Sequence, residues 1–356
     1  MRFRREGARE FLRYPLSKYP DSIVMGDNGA FTYRDKKDPP YKVDDTLEFY
    51  EDGGFTHGCS IDHLIFDFME DGAKPSAEAK RRVDITLDNA RRFLPASRAL
   101  GRRFTPVGVI QGWSARSMAD CGKALASMGY GYLAVGGLVP LRIEQIERAL
   151  STIREALPKR IRLHLLGFGK TEHLGAIKKY GVASFDTTSP LLRAFKDAKR
   201  NYYALGKDGD LSYYTAVRIP QAIDNDKLLR SARRGRLDQE NLLKLEARAL
   251  ESVRKFASRR MKVEPAVDAV IEYGRYALWD ERATDARNEA KLTELRGAYM
   301  RTLADRPWER CRCRVCRDAG VEALIFRSSN RNKRRGIHNL HVFYAHLTND
   351  PKKTRK

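Results

Sequence analysis

TPVGVIQGWSARSMADCGKALASMGYGYLAVGGL, residues 105–138, contains two short apolar runs, TPVGVIQG (105–112) and YLAVGGL (132–138), separated by an amphipathic stretch that begins near Ser114. The runs are too short for helices and carry β-branched and aromatic residues, whereas the stretch between them holds several helical turns. Two strands joined through a helix cannot form a hairpin. They lie parallel, linked by a right-handed crossover.

The same alternation extends in both directions. SIVMGD (22–27), SIDHLIF (60–66), IRLHLLGFG (161–169) and VASFDTT (182–188) read as further strands. SAEAKRRVDITLDNARRFL (76–94) places Ala79, Val83, Leu87, Ala90 and Leu94 on one stripe at helical spacing, and similar stretches begin near Leu141, Thr171 and Pro190. Six β/α units are legible, with LSYYTAVRI (211–219) as a candidate seventh strand and no visible eighth. The expected fold is an α/β (β/α)8 TIM-like barrel with its site at the carboxyl ends of the strands. A doubly wound open sheet is the alternative.

Composition changes after about residue 222. DKLLRSARRGRLDQENLLKLEARALESVRKFASRRMK (226–262) is dense in strong helix formers, with Leu242, Leu245, Val253 and Phe256 at roughly helical spacing. The expected organisation is a barrel over 1–221, a helical insertion over 222–303, a zinc-binding subdomain over 304–347 and a basic tail over 348–356 that ends in PKKTRK.

Lys and Arg number 68 against 46 Asp and Glu, a formal net charge of +22 in 356 residues. That excess predicts a polyanionic partner, nucleic acid. No run of about 18 apolar residues is present, so no membrane span is expected. MRFRREGAREFLRYPL at the N-terminus is basic and lacks an apolar signal core, which points to the cytoplasm. Five cysteines form no disulfide framework, because Cys311, Cys313 and Cys316 crowd together. Cys59 and Cys121 read as small buried apolar residues.

Cys-x-Cys-x-x-Cys at 311, 313 and 316 is followed by His338, His341 and His346. Three thiolates and one imidazole make a closed tetrahedral zinc site, structural rather than catalytic. His338 and His341 lie three apart on one helix face, and spacing alone does not choose between them.

Asp27, Asp62 and Asp186 each follow an apolar strand. Taken singly, Asp27 can open a turn and Asp186 can cap a helix. Gathered at one face of a barrel, they suit chemistry at an anomeric carbon, where one carboxylate attacks and another moves protons. Gln111 ends another strand and carries an amide able to read a purine edge. Gly136 and Gly137 expose backbone. Arg193, Lys196, Lys199 and Arg200, on the helix after Asp186, are candidates to line a nucleic-acid strand, although such spacing also describes a solvated face.

In their order, GDNGAF (26–31), SIDHLIF (60–66), VIQG (109–112), AVGGL (134–138), SFDTTSP (184–190), the cysteine run and IHNLHVFY (337–344) resemble the queuine/archaeosine guanine transglycosylase superfamily. The resemblance implies a zinc-bearing barrel that exchanges guanine for a 7-deazaguanine without breaking the backbone. It implies Asp186 as nucleophile and Asp27 as the proton-transfer aspartate. Asp62, Gln111 and the Gly136–Gly137–Leu138 backbone become the base-recognition shell, and Phe31 packs on the base. Cys311, Cys313, Cys316 and His338 become the ligands of one zinc ion.

Departures from the tRNA enzymes are informative. Asn28 stands where serine is usual, Thr-Thr-Ser-Pro-Leu-Leu-Arg follows Asp186, and the helical insertion is extra. These features are similar to the branch found in bacterial DNA-modification clusters, which places 7-cyano-7-deazaguanine into DNA. A tRNA-acting transglycosylase and a non-catalytic nucleic-acid-binding barrel are the alternatives. The chain has no Gly-x-x-x-x-Gly-Lys-Ser/Thr loop, so ATP-driven duplex opening would come from a separate ATPase or helicase partner. A homodimer is a further expectation of the resemblance.

Overall fold

The computed structural model describes residues 2–15, 17–206, 208–223, 228–229, 238–327 and 329–348. The basic tail PKKTRK and most of 226–237, the start of the expected insertion, lie outside the described residues. The chain divides into two compact units, Met1–Thr187 and Thr188–Lys356.

The first unit is built on six strands: β1 (Met25–Gly26), β2 (His57–Cys59), β3 (Thr105–Ile110), β4 (Tyr132–Val135), β5 (Arg162–Leu165) and β6 (Val182–Phe185). They form one sheet in sequence order, and every neighbouring pair is parallel. A doubly wound sheet reverses its strand order at a switch point, and this one does not. In a flat sheet the ends of β1 and β6 would stand about 24 Å apart, five spacings of about 4.8 Å. Yet the charge of Asp186, just after β6, acts on Asp27, just after β1. The sheet curls into a half-barrel that brings its two edges toward each other. Among the described residues no further strand continues this ladder.

The intervening helices follow the expected chemistry. Ala77–Ala96 starts where the Ser76 side chain accepts from the Ala79 amide at 3.0 Å. Its buried residues are Ala79, Thr86, Asn89, Ala90 and Phe93. The stripe is thus rotated slightly from the expected one, leaving Val83, Leu87 and Leu94 at its half-buried margins. Ala115–Met128 is capped by Ser114 and ends at Gly129, whose φ of 110° suits the left-handed stop.

The second unit holds LSYYTAVRI, which the structure does not use as a seventh strand of the parallel sheet. Leu211–Tyr214 (β8) pairs antiparallel with Tyr202–Leu205 (β7), and Val217–Arg218 (β9) pairs parallel with Ile325–Phe326 (β10). β7 and β8 are consecutive and antiparallel, a pairing that apolar periodicity alone does not distinguish from a buried parallel strand. Helices Gln239–Ala257, Val263–Ala277 and Asp285–Asp305 pack with these strands into one apolar core. Val217, Val253, Val270, Tyr273 and Leu303 meet Cys313, Cys316 and Leu324 there. Leu242, Val253 and Phe256 face inward as their spacing predicted, with Leu245 at the edge. Among the described residues no helix is long and apolar enough to cross a membrane.

Candidate active site

The carboxyl ends of β1, β2, β3, β4 and β6 supply Asp27, Asp62, Gln111, Gly136–Gly137 and Asp186. The strand containing Asp62 is shorter than its apolar pattern predicts. The strand ends at Cys59, and along SIDHLIF (60–66) the amides pass from backbone to side-chain acceptors. Ser60 N donates to Val107 O at 2.8 Å, His63 N to the Thr86 hydroxyl at 3.1 Å, and Ile65 N to Gln111 Oε1 at 3.4 Å. The Ser60 amide still meets β3, but at His63 and Ile65 side chains replace the sheet partner, so the apolar residues stay buried while the backbone is free to aim Asp62.

Asp62 is 1% exposed and Gln111 is fully buried. Gln111 Nε2 donates to Asp62 Oδ2 at 2.7 Å, and the Tyr33 hydroxyl donates to the Asp62 carbonyl at 2.9 Å. Asp62 Oδ1 is buried with no hydrogen-bond partner. An orphaned carboxylate oxygen is costly, and a donor from a ligand would relieve it. Burial, then the charge of Asp27, pushes the Asp62 carboxyl up to about 7 against the lowering effect of Gln111. Gln111 is engaged by protein at both ends of its amide and buttresses Asp62.

Gly136 and Gly137 make that packing feasible. A Cβ on Gly136 would fall 2.3 Å from Gln111 Nε2. Gly137 has a φ of +71°, and a Cβ there would lie 3.1 Å from Ile65 O. Leu138 is buried behind them.

Asp27 keeps an open face to solvent while protein crowds its other side. That crowding, then the charge of Asp186, raises its carboxyl above the ordinary range; the Asn28 and Gly29 amides and His164 oppose the shift. Asn28 uses its amide to hold the neighbouring strand end, donating to Cys59 O at 3.1 Å and Ser60 O at 2.9 Å. Asp186 is exposed, and its Oδ1 accepts from Gly167 N at 2.8 Å. Phe31 is 44% exposed on the short turn Ala30–Tyr33, its ring 5.6 Å from Phe66, which is also exposed.

The structure therefore gathers Asp27, Asp62, Gln111, Gly136, Gly137, Leu138 and Asp186 within one unit. Three participants escaped the sequence reading: Phe66, His164 and Ser184. A histidine inside the apolar run IRLHLLGFG was the available signal, since a buried titratable side chain needs a polar partner.

Arg193, Lys196, Lys199 and Arg200 belong to the second unit. Arg193 is half-buried with its guanidinium 5.4 Å from the Tyr213 ring centre, and Lys199 pairs with Glu294 at 2.5 Å. Lys196 and Arg200 are exposed, and Arg200 also stands over Tyr213.

The second unit also gathers Cys311, Cys313, Cys316 and His338, with ligand atoms all within 4.8 Å of one another. His338 Nδ1 lies 3.5, 3.4 and 3.3 Å from the three sulfurs. Tetrahedral zinc with Zn–S of about 2.3 Å and Zn–N of about 2.0–2.1 Å sets nitrogen and sulfur about 3.5 Å apart, so the spacing fits. His338 Nε2 faces Tyr203 O at 2.8 Å, which fixes Nδ1 as the ligand nitrogen. The Tyr202 ring stacks on His338 with centres 4.0 Å apart, and its hydroxyl lies 3.1 Å from Cys316 Sγ. His341 and His346 stand outside the cluster. A metal held here ties the cysteine loop to the helix Ser329–Thr348.

A family described as queuine tRNA-ribosyltransferase matches residues 63–215. A Salmonella montevideo protein named DNA-guanine transglycosylase is 39% identical over 351 residues, covering 98% of this chain and 80% of that protein.

Proposed function

The chain belongs to the guanine transglycosylase family, and on that premise we propose that it replaces guanine in DNA with a 7-deazaguanine, specifically 7-cyano-7-deazaguanine, through a covalent aspartyl–glycosyl intermediate. One observation carries the reading. Asp27 lies close enough to feel the charge of Asp186 across the curled sheet, and its own charge acts on a third carboxylate, Asp62, whose Oδ1 is buried and unpartnered.

The roles divide by environment. Asp186 is exposed, anchored through one oxygen, and attacks C1′. The C1′–N9 bond breaks as the C1′–oxygen bond forms, and N9 keeps the bonding pair. Asp27, whose carboxyl is raised by burial and by the charge of Asp186, is assigned to pass a proton to the leaving base and to take one from the incoming base. Asp62 accepts from donors on the purine edge, with Gln111 holding it in place, and Gly136–Gly137–Leu138 lets the base approach the backbone. Phe31 and Phe66 flank the ring.

The substrate assignment draws on the name of the Salmonella montevideo relative and on the net charge of +22. Guanine in a duplex must leave the stack, at a cost of a few kcal/mol, so single-stranded or opened DNA is the preferred form. A separate ATPase or helicase would open a duplex. The sequential parallel order of the six strands is the order a (β/α) barrel uses, and it supports a site at their carboxyl ends. Zinc is the metal that a Cys3His set selects, and a reducing cytoplasm keeps such thiolates available. A homodimer is the proposed assembly.

Release and uptake of labelled guanine, measured on single-stranded DNA, duplex DNA and tRNA, tests the reading. Exchange on DNA alone is expected. Exchange on tRNA alone would overturn the substrate and keep the chemistry. Silence on all three would return the protein to nucleic-acid binding or to dependence on a partner.

A further inference from the structure

β5 and β6 are not in simple register. Leu163 pairs with Val182, but His164 pairs with Ser184, so Ala183 is an extra residue on β6. Such a bulge re-aims the side chains beyond it. Ser184 and Asp186, two apart, then share one face of the strand, and His164 stands opposite Ser184 within reach of both.

The imidazole bridges them. His164 Nδ1 lies 2.6 Å from the Ser184 hydroxyl, and Nε2 lies 3.3 Å from Asp186 Oδ1. The Ser184 oxygen also meets the Tyr132 hydroxyl at 2.5 Å. His164 is 5% exposed and Tyr132 is also 5% exposed, so this chain runs inward from the site. Protons can be placed in only one order that gives Asp186 a donor from a neutral ring: Tyr132 donates to Ser184, Ser184 to Nδ1, and Nε2–H to Asp186. Ser184 is therefore the far end of a hydrogen-bond relay rather than a nucleophile.

We propose that His164 is a positioning residue that, together with the Gly167 amide, clamps Asp186 Oδ1 and leaves Oδ2 as the oxygen that attacks C1′. The inference rests on Asp186 being the nucleophile. Both donors act on Oδ1 and neither acts on Oδ2. When Oδ2 bonds to C1′ and guanine leaves with the N9 pair and a proton, Oδ1 becomes the ester carbonyl oxygen. When N9 of the incoming base attacks C1′, the C1′–Oδ2 pair returns to the carboxylate and the base's N9 proton passes to Asp27. Donors already set on Oδ1 stabilise the negative charge regained in that second step.

The test measures steady-state exchange and covalent protein–nucleic-acid adduct on a denaturing gel. It compares wild type with Asp186→Asn, His164→Ala, His164→Gln and Ser184→Ala, using the nucleic acid that wild type accepts. His164→Ala is expected to lower kcat about 10²-fold, the scale for losing one preorganised donor, with KM for free guanine unchanged and adduct accumulating. Gln places an amide N–H near the Nε2 position, so His164→Gln should recover at least about tenfold of that loss. Ser184→Ala should show a smaller loss of the same kind. If His164→Ala fails to fold, the Gln and Ser184 variants carry the same comparison. Exchange by His164→Ala within twofold of wild type, or equal losses in the Ala and Gln variants, would overturn the clamp while an inactive Asp186→Asn keeps the nucleophile. Adduct formation by Asp186→Asn, or a wild type silent in both readouts, would overturn the underlying reading itself.

Discussion

The Cys311–Cys313–Cys316–His338 cluster and the cluster of Asp27, Asp62 and Asp186 both place polar groups in apolar surroundings, and they resolve that conflict in opposite ways. In the first, every ligand atom faces the others, the second imidazole nitrogen is bonded to Tyr203, and Tyr202 covers one face. The group is complete once a metal is counted. In the second, an oxygen of Asp62 is left without a donor, and two carboxyls are pushed above their ordinary range. A satisfied polar cluster stabilises the fold. An unsatisfied one costs stability and is retained where a ligand completes it.

If that contrast is right, the two clusters should separate cleanly under mutation, and Asp186→Asn gives the largest effect. Asp186 is exposed, so the amide should fold with wild-type stability and metal content. Exchange should fall by at least about 10³-fold, as expected when a covalent nucleophile is removed. Full activity would remove Asp186 from the chemistry.

Cys313→Ser should do the reverse. Loss of one thiolate opens a closed site whose binding energy is folding energy, on the order of several kcal/mol. Metal per chain should drop toward zero and the second unit should melt earlier, because Cys313 and Cys316 belong to its apolar core. Unchanged metal stoichiometry would break the comparison at this end.

The two clusters also differed in how far the sequence revealed them. Three of four metal ligands sit within six residues, so local spacing announced them, and only the choice among His338, His341 and His346 needed more. The carboxylates span 27 to 186, and each one alone resembles a turn or cap residue. Strand order and the β/α alternation were legible because parallel strands buried on both faces read as continuous apolar runs. The end of β2 was not, because side chains of Thr86 and Gln111 take over its amides. Nor was the His164–Ser184 pairing, which depends on a one-residue bulge that no periodicity records.

Asp62 provides a subtler separation. Its carboxyl ionises near 7 when the site is empty, and donors on a bound purine favour the ionised form. Base binding should therefore release a proton below that pH, and affinity for free guanine should weaken by up to about tenfold per pH unit below about 7. Calorimetry between about pH 5.5 and 8 reads this directly, and Asp62→Asn should flatten the profile. The folded state holds this proton more tightly than the unfolded state. The group's contribution to stability thus falls as pH rises from about 4 to about 7, and the Asn variant should lose that slope as well. A pH-independent wild-type affinity would show that Asp62 does not accept from the base.

The smallest effect concerns the basic residues after Asp186, which differ among themselves although the sequence presents them as a set. Lys199 is paired with Glu294, and Arg193 is half-buried against Tyr213. Lys199 is exposed but its charge is already matched by Glu294, and Arg193 is only partly exposed, so each should release fewer counterions from a phosphate backbone than an exposed cation with no acidic partner. Lys196 and Arg200 are exposed. Alanine at either exposed position should weaken DNA binding a few-fold and reduce the slope of log affinity against log salt by about 1. Lys199→Ala should leave the slope unchanged, and Arg193→Ala should lower the melting temperature more than the affinity. Salt titrations of the four variants by fluorescence anisotropy decide the matter. Four equal slope changes would mean that the ion pair and the ring contact yield to DNA, and that the helix Ser189–Lys196 with its following turn binds as one surface.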